Sequence, residues 1–148
     1  MRITSVNLPK VTEVGRCFLY FDKELTALNL PKVTQVGDWF LDNNLALTTL
    51  SLPNLTQVGN YFLYFNSALT TLTLPKVTEV GDCFLCYNST LTTLDLPELT
   101  EVGSYFLQWN KTITTINLPK LTQRSPGFLG NNPEAKYILY ENNLPQPA

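Results

Sequence analysis

The residues with the most obvious chemical potential are two cysteines in the stretch Cys83-Phe-Leu-Cys86. Cys-x-x-Cys is the spacing of thiol redox motifs and of one half of a structural zinc site. A zinc site also needs two further ligands, and the chain offers only one more cysteine, Cys17, and no histidine. The positions of Cys83 and Cys86 in the surrounding sequence therefore have to be considered before the motif is given a chemical role.

Three short triplets match the acceptor pattern for N-glycosylation. They are Asn54-Leu-Thr, Asn88-Ser-Thr and Asn110-Lys-Thr. We interpret them as by-products of a repeated sequence, and they bear on function only if a eukaryotic cell secretes the chain.

The composition argues against several other kinds of chemistry. The absence of histidine removes the commonest general base and metal ligand, so most hydrolase triads and zinc sites have no candidates. The formal net charge of −2 argues against a nucleic-acid partner. We therefore predict a protein that is not an enzyme, with no catalytic residues, no cofactor and no metal.

Membrane insertion is also not expected. No apolar run approaches the roughly 18 residues that a spanning helix needs, and Met-Arg-Ile-Thr-Ser-Val lacks the apolar core of a secretion signal. We expect a soluble chain.

The elements that position any site come from a strict repeat. Six prolines, each ending an apolar frame of the type Leu-x-x-Leu-x-Leu-Pro, lie 22 residues apart: Pro9, Pro31, Pro53, Pro75, Pro97 and Pro119. A fixed period of this size marks a solenoid, in which units too small to bury their own apolar face stack on their neighbours. We call each unit a rung and each set of residues 22 apart a column.

Each rung begins with a short strand. Alternation predicts that Leu28 and Leu30 point inward and that Ala27 and Asn29 point outward. The proline that follows ends the strand, because it has no N–H to donate.

The rest of the rung is predicted to turn back on itself. The glycine column, for example Gly59, is expected to need a backbone conformation that other residues resist. A turn or 3₁₀ segment follows, with Phe62 and Leu63 in the core. Asn66 ends the turn and is expected to bond the backbone of the neighbouring rung.

The repeat gives the cysteines a plainer explanation. Cys83 occupies the column of Trp39, Tyr61 and Tyr105, and Cys17 shares this column three rungs away, too far to pair. We therefore favour the interpretation that the Cys-x-x-Cys spacing is incidental.

The repeat also carries a family resemblance. The residues that carry it are Leu69, Leu72, Leu74, Pro75, Val77, Val80, Gly81, Phe84, Leu85 and Asn88. This pattern resembles the leucine-rich repeat family, and within it the bacterial and protist subclass typified by BspA-like surface proteins. The resemblance implies a cell-surface or secreted location and a protein-binding role.

Together, the repeat and the resemblance predict an α/β fold class. We expect a right-handed leucine-rich-repeat solenoid, with a parallel β-sheet on the concave face, irregular or 3₁₀ turns on the convex face and little α-helix. Residues 1–148 are predicted to form one domain of about six 22-residue repeats.

The C-terminal segment 123–148 departs from the pattern and is interpreted as a divergent last repeat and cap. Arg124 and Ser125 stand where valine and glycine stood, although Phe128, Leu129 and Asn132 keep their places. Tyr137-Ile-Leu-Tyr140 predicts a seventh strand, with Ile138 and Tyr140 inward. The proline-rich tail that follows cannot extend a sheet.

Two outward surfaces are candidates for binding. The strand surface is uncharged and rich in hydroxyl groups apart from one aspartate: Thr49, Ser51, Thr71, Thr73, Thr93, Asp95, Thr115 and Asn117. The turn surface is aromatic: Trp39, Tyr61, Tyr64, Tyr87, Tyr105 and Trp109, with Tyr20, Phe21 and Phe65 nearby. Tyrosine and tryptophan are the residues that interfaces concentrate. The alternatives are a merely solvated strand face and aromatics that pack beneath the turns.

We favour a non-catalytic protein-binding or adhesion scaffold, because a repetitive solenoid without a catalytic constellation offers little else. A structural or designed consensus repeat is the second hypothesis. The third is an ice-binding solenoid, although only Thr71 and Thr73 form a complete Thr-x-Thr pair.

The first strand, from Ile3 to Leu8, is predicted to leave its outer edge unpaired. An open edge is a template for another chain. We therefore expect either self-association through this edge or a longer repeat protein of which the chain is a part.

Overall fold

A computed structural model describes residues 3–132 and 137–139. They form a β-solenoid of about five turns whose strands pair in parallel. The α/β class is wrong for this part of the chain, because the described residues contain no helix. The segments between the strands consist of tight turns, bends and irregular backbone instead.

Seven three-residue strands form the side that we call the strand face. They are β1 (Ser5–Asn7), β3 (Ala27–Asn29), β5 (Thr49–Ser51), β7 (Thr71–Thr73), β9 (Thr93–Asp95), β11 (Thr115–Asn117) and β12 (Tyr137–Leu139). Paired strands are offset by one full repeat, as in Val6 opposite Leu28 and Leu50 opposite Leu72. The predicted seventh strand is confirmed as β12, whereas the inward directions of Ile138 and Tyr140 lie outside what the structure describes.

The strand face is not one continuous sheet, which corrects the prediction. β1 pairs with β3, β5 with β7, and β9 with β11 and then β12. The backbone bends at Ala46 and Thr90, shortly before β5 and β9. These are the two strands that do not pair with the strand of the preceding rung. The handedness of the solenoid and the assignment of concave and convex faces stay predictions.

A second parallel sheet was not predicted. Its five two-residue strands are β2 (Glu13–Val14), β4 (Gln35–Val36), β6 (Gln57–Val58), β8 (Glu79–Val80) and β10 (Glu101–Val102). Their valines point inward, as predicted: Val36, Val58 and Val80 are buried. The glutamate and glutamine side chains of these strands are exposed.

The core is a stack of identical layers. Phe62 and Leu63 are fully buried, as predicted, and Phe62 stacks on Phe40 and Phe84 with ring centroids 5.4 Å apart on both sides. The phenylalanine column continues to Phe18 at one end and Phe128 at the other. Since each interior ring packs between two others, the column ties the rungs into one hydrophobic core.

The turn segments, residues 16–22 of the first rung and their equivalents, form what we call the turn face. Their φ angles alternate in sign: Tyr61, Leu63 and Phe65 have φ of 59°, 56° and 56°. Of the two predicted alternatives, the irregular turn is confirmed and the 3₁₀ segment is wrong, because a 3₁₀ helix needs negative φ at successive residues. The amides bond neighbouring rungs instead: the N–H of Tyr61 donates to the Asp82 carbonyl at 2.8 Å, and that of Leu63 to the Phe40 carbonyl at 3.0 Å.

Glycine is required in this column for a different physical reason from the one predicted. None of Gly37, Gly59, Gly81 and Gly103 has a positive φ. A Cβ on Gly59 would lie 2.8 Å from the carbonyl carbon of Gly37, so neighbouring rungs approach too closely for a side chain. The glycines are needed for packing and not for backbone freedom.

The asparagine column behaves as predicted. The side-chain amide of Asn66, which is fully buried, donates to the carbonyl of Leu41 in the preceding rung at 2.7 Å. The same bond recurs at Asn44, Asn88, Asn110 and Asn132. This ladder links every described pair of successive turns.

The last rung keeps the core contacts of the repeat, but the glycine at its corner is replaced. Phe128 stacks on Phe106 at 5.2 Å, and Asn132 bonds the Leu107 carbonyl. Ser125 replaces the glycine, and its hydroxyl donates to the Gly103 carbonyl. Residues 133–136 and 140–148, including the proline-rich tail, lie outside the described residues.

Candidate functional site

Most of the predicted aromatic side chains meet on the turn face. We define the turn-face aromatic surface as Tyr20, Phe21, Trp39, Tyr61, Tyr64, Phe65, Tyr87 and Trp109. Its rings contact one another in an unbroken series. The series begins where the Tyr20 ring meets Trp39 edge-on, and it ends where Tyr87 stacks on Trp109 with the ring centroids 5.8 Å apart. The tightest pair is Trp39 and Tyr61, whose centroids lie 3.9 Å apart with planes within 3°.

The surface remains accessible even though its rings pack on one another. Tyr20 and Phe21 are each 47% exposed and Phe65 is 39% exposed, while the remaining members are half-buried. These three are among the most exposed large apolar side chains of the described residues. Three of the aromatics are therefore exposed, and the other five are half-buried against their neighbours.

Tyr105 does not join this surface. It is 45% exposed and makes no ring contact with another aromatic of the described residues. Its ring lies over Gly127, the next residue of its column, where a Cβ would come within 2.4 Å of the ring. Cys83 separates Tyr105 from Tyr61 in this column, which is why Tyr105 has no aromatic neighbour on that side.

The predicted strand-face residues point outward. All of them are exposed except Asn117, which is half-buried and donates to the Asp95 carboxylate at 2.8 Å. Thr49 lies opposite Thr71 and Ser51 opposite Thr73, whereas β7 and β9 do not pair. This hydroxyl surface belongs to a different segment of each rung from the aromatics, so the two candidate surfaces are distinct.

The cysteine pair lacks the features of a reactive site. Cys86 is buried, and its thiol donates to the Tyr105 carbonyl at 3.0 Å. Burial raises the pKa of both Cys83 and Cys86, which disfavours the thiolate that redox chemistry and metal binding require. Among the described residues no three candidate metal ligands cluster together.

The glycosylation triplets differ in accessibility. Asn88 and Asn110 are fully buried, and their amides bond backbone carbonyls, so the folded chain cannot present them to a glycosyltransferase. Asn54 is half-buried, and its amide donates to the Pro31 carbonyl at 2.7 Å. The described part of the chain also holds no apolar helix of membrane-spanning length.

Sequence reasoning missed a feature inside the aromatic surface. Rung 2, which starts at Leu25, has Asp42-Asn43 where the rungs on either side have Tyr20-Phe21 and Tyr64-Phe65. The backbone places these groups side by side, since the Phe21 N–H donates to the Asp42 carbonyl at 2.8 Å and the Asn43 N–H to the Tyr64 carbonyl at 2.9 Å. The signal was an interruption of two aromatic columns in the same rung.

Asp42 is unusual because it is a buried acid. The residue is 2% exposed, and the Asn43 side-chain amide donates to its Oδ1 at 2.9 Å. Burial raises the pKa of Asp42, and the hydrogen bond from Asn43 opposes that rise. No lysine or arginine of the described residues forms an ion pair with it.

Comparison with protein families finds one that accounts for the repeat. The model of the BspA type leucine rich repeat region matches residues 1–114 in six copies. No curated protein and no solved structure matches the chain. With a match that covers more than half of its 148 residues, the chain belongs to the BspA-type leucine-rich repeat family.

Proposed function

We propose that this protein is a non-catalytic protein-binding or adhesion scaffold and that the turn-face aromatic surface is its binding surface. The observation that carries the proposal is that large aromatic side chains occupy exposed or half-buried surface positions whose backbone does not favour them. Phe21, Phe65, Tyr87 and Trp109 all have φ between 56° and 62°.

That backbone conformation is costly for these residues. The left-handed region is visited readily by glycine and by asparagine, and it costs other residues about 1–2 kcal/mol each. Asn43 and Asn131, in the same column with φ of 56° and 59°, are the residue type that the backbone prefers. Amide bonds to neighbouring rungs hold this backbone in place, as from the Phe65 N–H to the Cys86 carbonyl at 3.1 Å. Local backbone preference therefore does not explain the aromatic side chains at these positions, whereas a binding role does.

The packing of the rings supports a protein partner over a glycan. Trp39 and Tyr61 stack face to face, as do Phe65 and Tyr87 at 4.4 Å, so much of the ring face area is already covered. The surface offers ring edges, tyrosine hydroxyls and an indole N–H. Clustered tyrosine and tryptophan of this kind are typical of the energetic centre of protein interfaces.

A capture experiment with paired variants tests the proposal. The wild type, a Phe65→Ser/Tyr87→Ser variant and a Thr71→Ser/Thr93→Ser variant are immobilised and exposed to protein extracts from candidate hosts. Circular dichroism and thermal unfolding establish that all three fold. We expect proteins that the wild type and the threonine variant retain to be lost from the aromatic variant.

The opposite result is equally clear. If the aromatic variant retained the same proteins, or if the threonine variant lost them, the turn-face aromatic surface would not be the binding surface.

A further inference from the structure

One rung carries cysteine at two positions of the same turn, and no other rung does. The equivalent pairs in the rungs on either side are Tyr61 with Tyr64 and Tyr105 with Gln108. The repeat therefore does not require cysteine at either position. Cys83 and Cys86 depart from both columns together, which points to a property that the two residues share.

The backbone of the turn brings the two cysteines close to each other. The Cys86 N–H donates to the Cys83 carbonyl at 3.4 Å, which closes a turn of four residues. Such a turn holds the Cα atoms of its first and last residues within about 7 Å of each other. Disulfides join cysteines whose Cα atoms are about 4.4–6.8 Å apart. The folded backbone therefore has the separation that a bond between Cys83 and Cys86 needs.

The side chains at these two positions also lie on the same side of the turn. In the preceding rung the rings of Tyr61 and Tyr64, which occupy the same two columns, meet edge to face with centroids 5.6 Å apart. In the cysteine rung the Cys83 and Cys86 thiols are close enough to perturb each other's ionisation. The two sulfurs can therefore meet without a rearrangement of the chain.

Oxidation of the pair would leave no buried acceptor without a donor. The Cys86 thiol donates to the Tyr105 carbonyl at 3.0 Å, and this bond is lost when the sulfur joins Cys83. The same carbonyl also accepts from the Gln108 N–H at 3.2 Å, so it stays hydrogen-bonded. Cys83 is half-buried whereas Cys86 is fully buried, so an oxidant from solvent reacts with Cys83 first.

We propose that Cys83 and Cys86 are a modification site, at which a low-molecular-weight disulfide such as oxidised glutathione converts the two thiols into an internal disulfide. The Cys83 sulfur attacks one sulfur of the oxidant, and the first glutathione leaves. The Cys86 sulfur then attacks the Cys83 sulfur, and the second glutathione leaves. One S–S bond forms in the protein while the S–S bond of the oxidant is reduced, and the two thiol protons pass to the two glutathione molecules.

Burial of the thiols affects how fast this bond forms. It raises the pKa of both Cys83 and Cys86, so few thiolates are present at neutral pH and exchange is slow. Slow exchange argues against a catalytic redox pair, which must turn over, but not against a bond that forms once. The site goes beyond the proposed binding function and does not depend on which surface binds a partner.

Three variants that each keep two cysteines test the site: Cys17→Ser, Cys83→Ser and Cys86→Ser. Each full chain is incubated with defined ratios of oxidised and reduced glutathione, and its remaining thiols are then alkylated. Intact mass spectrometry distinguishes an internal disulfide, which removes two hydrogen atoms, from a glutathione adduct and from a linked dimer. Circular dichroism checks the fold of each variant, and Cys83→Ser, at the half-buried position, remains as a control if Cys86→Ser does not fold.

We expect the mass of Cys17→Ser to fall by two hydrogen atoms, with no dimer and no alkylated thiol. Cys83→Ser and Cys86→Ser should form only glutathione adducts or dimers. The same equilibrium is then measured in urea. The ratio of internal disulfide to dithiol should be about tenfold or more higher in the folded chain than in urea, because the folded turn already holds the ends of this short loop together.

Two results would overturn the inference. Cys17→Ser could keep both thiols or stop at a glutathione adduct at every glutathione ratio, which would show that the sulfurs cannot meet in the folded turn. The internal disulfide could also form equally well in urea, which would show that the fold does not favour the bond.

Discussion

The side chain of Asn66 and the carbonyl of Leu41 are joined by a 2.7 Å hydrogen bond that crosses from one rung to the one before it. The same amide also donates to the Tyr64 carbonyl at 3.3 Å. Replacing Asn66 with alanine removes the donor to the Leu41 carbonyl, whereas the Tyr64 carbonyl still accepts from the Asn43 N–H, and leaving a buried carbonyl without a donor costs about 1–3 kcal/mol. Urea unfolding measures the loss, and Asn7→Ala, at an exposed position, should change stability by less than about 0.5 kcal/mol.

The glycine column provides a prediction with its own control. Gly59→Ala brings a methyl group within 2.4 Å of the Asp38 carboxylate and 2.8 Å of the Gly37 backbone, and such overpacking costs about 1–3 kcal/mol. Gly15→Ala meets nothing within 4 Å and should be nearly neutral. Comparable losses in the two variants would show that backbone conformation, and not contact between rungs, selects glycine.

The phenylalanine stack should be most sensitive at its centre. Phe62→Ala opens a cavity between Phe40 and Phe84 and should cost about 3–5 kcal/mol. Phe18 is half-buried and stacks on Phe40 alone, so Phe18→Ala should cost clearly less. Denaturant midpoints of the two variants measure the difference, and equal values would contradict a layered core.

Asp42 should destabilise the free protein at neutral pH. Burial raises its pKa above the ordinary value of 3.8, so the folded state holds this proton more tightly than the unfolded state. The unfavourable contribution is absent well below pH 3.8 and grows as the pH rises through the folded pKa. Asp42→Asn should therefore raise the melting temperature at pH 7, with a gain that shrinks on acidification.

Asp82→Asn serves as the reference for that measurement. Its carboxylate bonds the Ser104 N–H at the surface, a role that asparagine fills at position 60. A pH-independent effect of Asp42→Asn would mean that the carboxylate is not strained by burial.

The outer edge of β1 gives a prediction about association. Val6, Leu8 and Phe18 are only half-buried, whereas Leu30 and Phe40, the next residues of two of these columns, are fully or almost fully buried. We expect copies to associate through this edge, so that the mass from light scattering rises with concentration and Val6→Lys suppresses the rise. Thr49→Lys, on an interior strand, should leave association unchanged, and a wild type that is monomeric at every concentration would refute the prediction.

Most of the fold could be predicted from the 22-residue period of the sequence. Proline, glycine and asparagine recur every 22 residues, so the strands, the inward Phe62 and Leu63, and the Asn66 bond to the neighbouring rung were all predictable. A strictly periodic chain can satisfy its buried groups only by repeating the same contacts, which is why these predictions held.

The turn face was not predictable from local propensity. Positive φ at Tyr61, Leu63 and Phe65 is unfavourable for each residue alone, and the structure tolerates it because their amides bond carbonyls of neighbouring rungs. The second sheet and the breaks in the strand face likewise depend on contacts between rungs.

The pair Asp42 and Asn43 was missed for a different reason. Repeats draw attention to what their units share, whereas Asp42 and Asn43 matter because they differ from the aromatic residues at the same positions in adjacent rungs. Sites in repeat proteins are more readily found by scanning the columns for exceptions.

The uniform spacing of the ladders has a consequence for how such a gene changes. Because interior rungs bond their neighbours at a constant separation of 22 residues, an in-frame duplication of 22 codons adds a layer without disturbing the others. Asp42 and Asn43 form backbone hydrogen bonds with the layers immediately before and after them. Recombination that copies three successive layers would therefore give the offspring gene a second buried aspartate in the same surroundings. Exceptions to the repeat would multiply by unequal crossing-over, with no new point mutation required.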